Sequence, residues 1–595
     1  LEKSSLKGSI EQLFYFADLD AKHFAVNGNF NHLKIAPSDA IPGIENLTGR
    51  LKGTDEKGQL DLVTKEASMT TSGLFREALS IKKLVGKIAW QQTADEWLVS
   101  SPHIDADSPD IITSNRFNLR IPKKEGKSPF LDLQMGFSAE DVTQVKHYLP
   151  VGVLKESVVD WLDHAFIKGR VPKGGILFYG DLNGFPFDKG QGVFEARFDV
   201  DQMDISYLSD WPYLTELGGE VVFLQGGLQV DLNKGFSNNL KIKQARVFIP
   251  MLGESEHLLV QGKLDTDILQ GLKFLQNTPL NSSANSFLEA VDPQGTTEVT
   301  LDLKLPLADG AKAIVDGSAQ LNKGTLKVKA LDLGVSQITG ALKFNEQGVY
   351  SQMITAKTLD NPIKITIKSS DVLTTVNVDG HVGVNDILKQ FKIPGLELAE
   401  GSTDYNLKLQ LPYDNSFPDL VVNSNLAGMA LDLPNSLAKN REQQRPLSLQ
   451  FNLTNETLLP INIAYDNQMS AAVKYNVEQQ TIESGNVLIG TGNVNQSQEP
   501  GIRLEINRER LDLKDWMGVG LSFVQEKDHE AIANVASNIR EVKIHSAHGL
   551  WMKADLGYFD LVFKPEAKYW AGNIDASIAK GGFKIPFNLK SSHSM

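Results

Sequence analysis

Residues 174–208 read GGILFYGDLNGFPFDKGQGVFEARFDVDQMDISYL, and the second half of this stretch decides the fold. Phe194, Ala196, Phe198 and Val200 alternate with Glu195, Arg197 and Asp199. A period of two puts the first set on one side of an extended strand and the charges on the other, the pattern of a strand with one buried face. A shorter apolar strand precedes it across a turn rich in Gly, Pro and Asn. The stretch therefore raises one question: what does the apolar face cover?

The same alternation runs from end to end. It recurs in Phe117/Leu119/Ile121, Leu131/Leu133/Met135/Phe137, Leu228/Val230/Leu232 and Val299/Leu301/Leu303/Leu305/Leu307. Further on come Ile363/Ile365/Ile367, Tyr405/Leu407/Leu409/Leu411, Leu449/Phe451/Leu453, Ala471/Val473/Tyr475/Val477 and Ile574/Ala576/Ile578. Gly, Asn, Asp and Pro clusters separate these runs and read as turns. Continuous apolar runs, the mark of buried parallel strands, are scarce, so the expected class is all-β, mostly antiparallel, with a few short helices. At roughly 13 to 18 residues per strand and turn, 595 residues supply roughly 30 to 45 strands.

Helical signals concentrate in residues 138–170. FSAEDVTQVKHYLP has Ser138 as an N-cap, acids in the first turn and a stop at Pro150. VLKESVVDWLDHAFIKG places Leu154, Val158, Leu162 and Phe166 at helical spacing. This divides the chain into β repeats over 1–137, a helical insertion over 138–170 and β repeats over 171–595. Val142, Val145, Leu149, Leu154 and Trp161 are the residues with which that insertion would gate the apolar face or cap a sheet edge. Residues 523–536 offer a third helix or a loop.

Five strands are followed by an acidic residue, an apolar one and a short helix-like stretch, at Asp141, Asp204, Asp267, Asp386 and Asp512. Their separations of 63, 63, 119 and 126 residues suggest one unit length, counted once or twice, as in a stacked array.

Chemistry is sparse by comparison. The chain has no cysteine, which excludes disulfides and thiolate ligands, and its net charge of −14 argues against a broad nucleic-acid footprint. No apolar window is long enough to form a membrane-spanning helix. His545 and His548 lack a neighbouring carboxylate cluster, and Asp105, Asp107 and Asp110 lack the glycine and terminal glutamate of an EF-hand loop. Gly490 and Gly492 complete no phosphate-binding fingerprint and read as a hairpin turn. No catalytic residue, metal site or cofactor is expected, and the chain reads as a non-enzyme. A β-solenoid carbohydrate enzyme would need a polar cleft with paired carboxylates, and 8% aromatic residues make no platform for sugar stacking.

What stands out is the amount of one-faced sheet and the shortage of helices to cover it. Two apolar faces closing on each other would make a sandwich. A sheet curled into an open, elongated groove would instead leave an apolar interior trough that needs a ligand, lined by Phe194, Phe198, Leu228, Val230, Leu301, Leu303, Leu305, Ile363, Ile365, Leu407 and Leu409.

Within residues 138–232, Tyr148-Leu149-Pro150, Trp161-Leu162-Asp163, the strand from Gly169 to Gly180, Phe185-Pro186-Phe187 and Trp211-Pro212 together resemble the AsmA-like family, which includes TamB. The likeness continues more loosely to Trp570, Ile574, Gly582 and Pro586. It implies a bridge-like lipid transfer protein of Gram-negative bacteria, carrying phospholipid along a repeating β-groove between inner and outer membranes. The implied location is the periplasm, with an inner-membrane anchor that has no counterpart in this chain and with unknown membrane protein partners at each end. The chain is then expected to be an internal piece of a longer protein. The rival expectation is a periplasmic assembly scaffold that binds client strands without moving lipid.

Overall fold

The computed structural model describes residues 6–586 except 38–41, 72, 153, 208–210, 239, 253, 277–286, 308–312, 392, 394, 415, 435–436, 454–456, 517–537, 552–553 and 567–568. The helix-or-loop stretch 523–536 lies outside the described residues. Among the described residues there are 34 strands and only a few short helices, as the alternation requires. The chain divides into two units, Leu1–Thr266 with Asn277–Pro279 and Glu298–Gly317, and Asp267–Gln276 with Leu280–Thr297 and Ser318–Met595.

In the first unit, consecutive strands from Leu6–Asp18 to His257–Asp267 pair antiparallel with their sequence neighbours. The strand Val193–Ile205 sits between Phe166–Asp181 and Leu214–Leu224, with Phe198 opposite Gly174 on one side and Val221 on the other. In such a meander every second strand runs the same way. The ends of Lys57–Thr70, Glu96–Asp107, Phe130–Ala139 and Val193–Ile205 therefore share one edge of the sheet.

The alternation is not unbroken. In Val193–Ile205 it puts Ala196 and Val200 in the buried set, then skips to Met203. The register shifts after Val200, and Gln202 has a φ of 51°. This is a β-bulge, which adds a residue, bends the strand and turns later side chains over by one position. The phase likewise changes at His32, Asn46 and Glu66, all with positive φ. His32 Nδ1 lies 2.6 Å from Asn46 Oδ1, and Asn46 Nδ2 donates to the carbonyls of Lys65 and Glu66 at 3.1 and 2.9 Å. The bulges thus form a polar row across neighbouring strands. On either side of it Phe30, Leu47, Leu62, Ala67, Ile81 and Leu84 stay on the apolar face and bury against one another.

The second unit continues antiparallel from Leu333–Asn345 to Thr481–Ile489. Thr481–Ile489, Gly501–Asp512 and Ile539–Trp551 then pair in parallel. This corrects the hairpin expected at Gly490 and Gly492, because parallel neighbours need a crossover connection and residues 490–500 supply it. Glycine is required at 490, where a Cβ would stand 2.7 Å from the Asn507 carbonyl oxygen.

The helical insertion also differs in detail. Ser138 lies in the strand Phe130–Ala139, and the cap is Asp141, whose Oδ1 accepts from Thr143 N at 2.9 Å at the start of a 3-10 helix, Val142–Tyr148. The following α-helix is Glu156–Ala165, so Leu154 precedes it and Phe166 opens the next strand. Val158 is exposed and Ala165 is buried. Hydrogen bonding of Phe166 to the strand ladder overrides its place in the helical stripe.

Four of the five acidic markers stand at strand-to-helix junctions. Asp141 caps a helix, Asp267 and Asp512 end strands with helix following, and Asp386 accepts from Gly383 N at 3.3 Å in the first turn of Val384–Gln390. Asp204 stays within its strand, accepting from Glu216 N at 2.7 Å. Equal spacing does not mean equal structure, for the first interval holds two strands and the second four.

Candidate functional site

The eleven predicted lining residues all face the apolar side of their unit. Phe194, Phe198, Leu228, Val230, Leu301, Leu303, Leu305, Leu407 and Leu409 are half-buried, while Ile363 and Ile365 are buried with Ile338, Ile354 and Val378. The opposite side is charged: Arg197 bridges Glu195 and Glu220 at 2.9 and 2.8 Å, and Asp302 accepts from Gln261 at 2.9 Å. Leu407 and Leu409 pack on the buried cluster Leu420, Leu453 and Leu459. Each unit thus presents a face with buried residues at some positions and half-covered aliphatic and aromatic side chains at others.

Part of the chain between Ala139 and Phe166 packs on this face in the first unit. Val142 is buried with Ala139, Val171, Val200, Met203 and Leu217, and Val145, Phe198 and Val230 pack against the same cluster. Two proposed gate residues and two proposed lining residues therefore meet. Leu149 and Leu154 are half-buried and Trp161 is largely exposed, its indole N–H donating to the Tyr207 carbonyl at 3.1 Å. Burial pushes the Tyr207 phenol up to about 12.

The turn after Asp181 is not simply solvated. Phe187 is buried, and its ring lies among those of Phe178 and Phe185, with Phe194 adjoining both. A Cβ at Gly180, Gly184 or Gly192 would stand 2.6, 3.1 or 2.7 Å from that ring, so glycines form its seat. Phe194 is thus partly covered by the turn.

In the second unit Lys439 is buried beside the core of Val384, Leu426, Met429 and Leu437. Its ammonium donates to the carbonyls of Met429 and Asn440 at 2.7 and 2.9 Å, and burial holds its pKa below the ordinary lysine value.

The polar motifs do not converge. His545 pairs with Asp560 at 2.7 Å and His548 with Asp555 at 2.9 Å. Asp105 takes His103 at 3.0 Å, Asp107 faces Lys83 at 4.0 Å, and Asp110 accepts from Tyr148 at 3.3 Å. Among the described residues no group of three or more His, Cys, Asp and Glu side chains is arranged to hold a metal ion, and no helix is long and apolar enough to cross a membrane.

The family model described as YhdP protein matches residues 1–593. The chain belongs to the YhdP family. The intermembrane phospholipid transporter YhdP of Escherichia coli (strain K12) is 24% identical over 405 residues, covering 67% of this chain and 32% of that protein. The chain spans about a third of the length of this curated YhdP relative. No solved structure matches. Membership in the YhdP family carries the AsmA-like resemblance of residues 138–232 over nearly the whole chain.

Proposed function

We propose that the chain carries phospholipid, holding acyl chains on the apolar faces of its units while headgroups stay at the rim in water. The observation that supports this most is the half-buried state of Phe198, Val230, Leu303 and Leu409, all backed by a charged opposite side. A chain of some 16 carbons exposed to water costs on the order of 12 kcal/mol, at about 0.8 kcal/mol per methylene. A lining of Leu, Ile, Val and Phe removes most of that cost, and because it is chemically uniform it lets the chain slide. The work of the Escherichia coli relative between membranes, as its name states it, supports reading the path as periplasmic, between inner and outer membrane. No reaction chemistry is required for this role.

The test is native mass spectrometry of the purified chain, followed by lipid extraction. Copurified phospholipid, displaced by a fluorescent-acyl analogue, is the expected result. A monodisperse chain that holds no lipid and binds no analogue, and that captures an extended peptide instead, would establish the scaffold.

A further inference from the structure

The helices Val142–Tyr148 and Glu156–Ala165 leave the sheet between two strands that pair directly with each other, so they need not reach any distant part of it. They do. On one side Gly152 N donates to the Leu74 carbonyl at 3.1 Å, Arg76 Nη2 meets Asp163 Oδ1 at 2.7 Å, and His147 Nδ1 contacts Glu77 Oε1. In between, the Tyr148 hydroxyl donates to Asp110. On the other side Ser206 N donates to the Ala165 carbonyl at 2.8 Å and Trp161 to that of Tyr207.

Leu74–Glu77, Asp110 and Ser206–Tyr207 follow strands that run the same way, so all lie on one edge. From Lys57–Thr70 to Val193–Ile205 there are six inter-strand steps, roughly 29 Å along the sheet at about 4.8 Å each, yet Asp163 meets Arg76 while Ala165, two residues on, bonds Ser206, so the sheet curls here and brings both places to one end of the second helix. The two helices bridge the edge of this curl while Val142 and Val145 press on the apolar face beneath. Their attachments differ in kind. Val142 is held by burial, whereas the far attachment is polar, around a cavity of ≈ 430 Å³ lined by Arg76, Glu77, Lys146, His147, Asp163 and His164. The carboxylate of Asp163 is held below its ordinary pKa, chiefly by its hydrogen bond with Arg76.

The geometry points to a strap with a latch: Arg76–Asp163 and Glu77–His147 hold the two helices across the sheet edge, and release of these pairs uncovers the apolar face under Val142 and Val145 for an acyl chain. This rests on the lipid-carrying reading above, whose gate it supplies with a catch. Partly exposed ion pairs suit a catch because each is worth little alone and exchanges readily with water.

The chain's lack of cysteine makes the test direct. Val142→Cys places a single buried thiol on the underside of the strap, and its labelling rate with a maleimide reports opening without any lipid. Arg76→Glu should raise that rate roughly fivefold, and adding Asp163→Arg should restore it. In a second arm, Arg76→Cys with Asp163→Cys joined by a short thiol cross-linker should slow uptake of pyrene-labelled phosphatidylethanolamine from vesicles, compared with the unlinked pair. Unchanged labelling in both Arg76→Glu and the conservative Asp163→Asn would overturn the latch while lipid uptake by the unmodified chain still stood. Equal uptake by linked and unlinked chains would overturn the gate. Labelling that responds in a chain taking up no lipid would leave the latch and remove the carrier reading.

Discussion

The ring of Phe187 stands edge-on to that of Phe178, with centroids 5.2 Å apart and an interplanar angle of 68°. Phe178 lies on the strand and Phe187 on the turn that follows, so this pair folds the turn down onto the apolar face. Edge-to-face rings add to the area that each buries. Phe187→Ala should therefore cost about 3–5 kcal/mol, the range for emptying a buried phenylalanine site, and should uncover the ring of Phe178 against which it packs. Gly192→Ala tests the seat from the other side. Its new methyl would stand 2.6 Å from the Tyr179 carbonyl oxygen and 2.7 Å from the Phe187 ring, an overpacking worth about 1–3 kcal/mol. Urea midpoints of the two variants against the parent check both.

The period of two was sufficient to place Phe194, Phe198, Leu303 and Leu407 on the apolar side, because a buried face writes itself into every second residue. Bulges leave no such mark. Gln202, His32, Asn46 and Glu66 are polar residues at outward positions and look like any others, yet each turns the following side chains over. Phe187 was hidden for a related reason: a turn rich in Gly, Pro and Asn implies solvent, and burial of one ring within it depends on where three glycines stand in space. Arg76 and Asp163 are 87 residues apart in sequence, and no local pattern joins them. The parallel pairing after Ile489 was equally silent, since one residue run suits either direction of its neighbour.

The bulge at Gln202 gives a pH-dependent prediction. The neighbouring Asp201 carboxylate takes Lys234 at 2.7 Å and Arg170 at 2.7 Å, and these hydrogen bonds, Lys234 first, lower its pKa to about 2. A carboxylate depressed in the folded state contributes stability that is present above its unfolded pKa of about 3.9 and is lost as pH falls through the folded value. The stability difference between the parent and Asp201→Asn should thus be largest above about pH 5 and shrink as pH falls toward 2, with part of it removed by salt. Urea midpoints at pH 6, 4 and 2.5 measure this, and a difference that grew on acidification would contradict the assignment.

Lys439 predicts the opposite end of the pH scale. Burial disfavours its charged form, so its folded pKa lies below that of the unfolded chain. Between those two values the unfolded state binds more protons, and stability rises with pH. The difference in stability between the parent and Lys439→Met should therefore move in the parent's favour as pH rises toward about 10. Thermal midpoints of the two proteins at pH 7, 8.5 and 10 supply the comparison. Parallel curves would mean that the ammonium is not confined as the hydrogen bonds to Met429 and Asn440 indicate.

The strand Thr296–Pro306 separates the two sides of the sheet over Leu301–Leu305. Leu301, Leu303 and Leu305 are half-buried, while Asp302 and Lys304 between them are exposed. If the half-buried side carries acyl chains, Leu303→Glu sets an unpaired carboxylate in their path, which is either strongly unfavourable or draws water in. Uptake of a fluorescent-acyl phospholipid should then fall about tenfold, the effect of about 1.4 kcal/mol. Lys304→Glu changes charge by two units on the solvated side, where substitutions stay within about 0.5 kcal/mol, and uptake should be unchanged. Circular dichroism separates this from unfolding, because a closed sandwich core would also reject Leu303→Glu but would lose its strand signal in doing so. A folded Leu303→Glu chain that takes up lipid at the parent rate, or a Lys304→Glu chain impaired to the same degree, would mean that acyl chains do not pass over this strand.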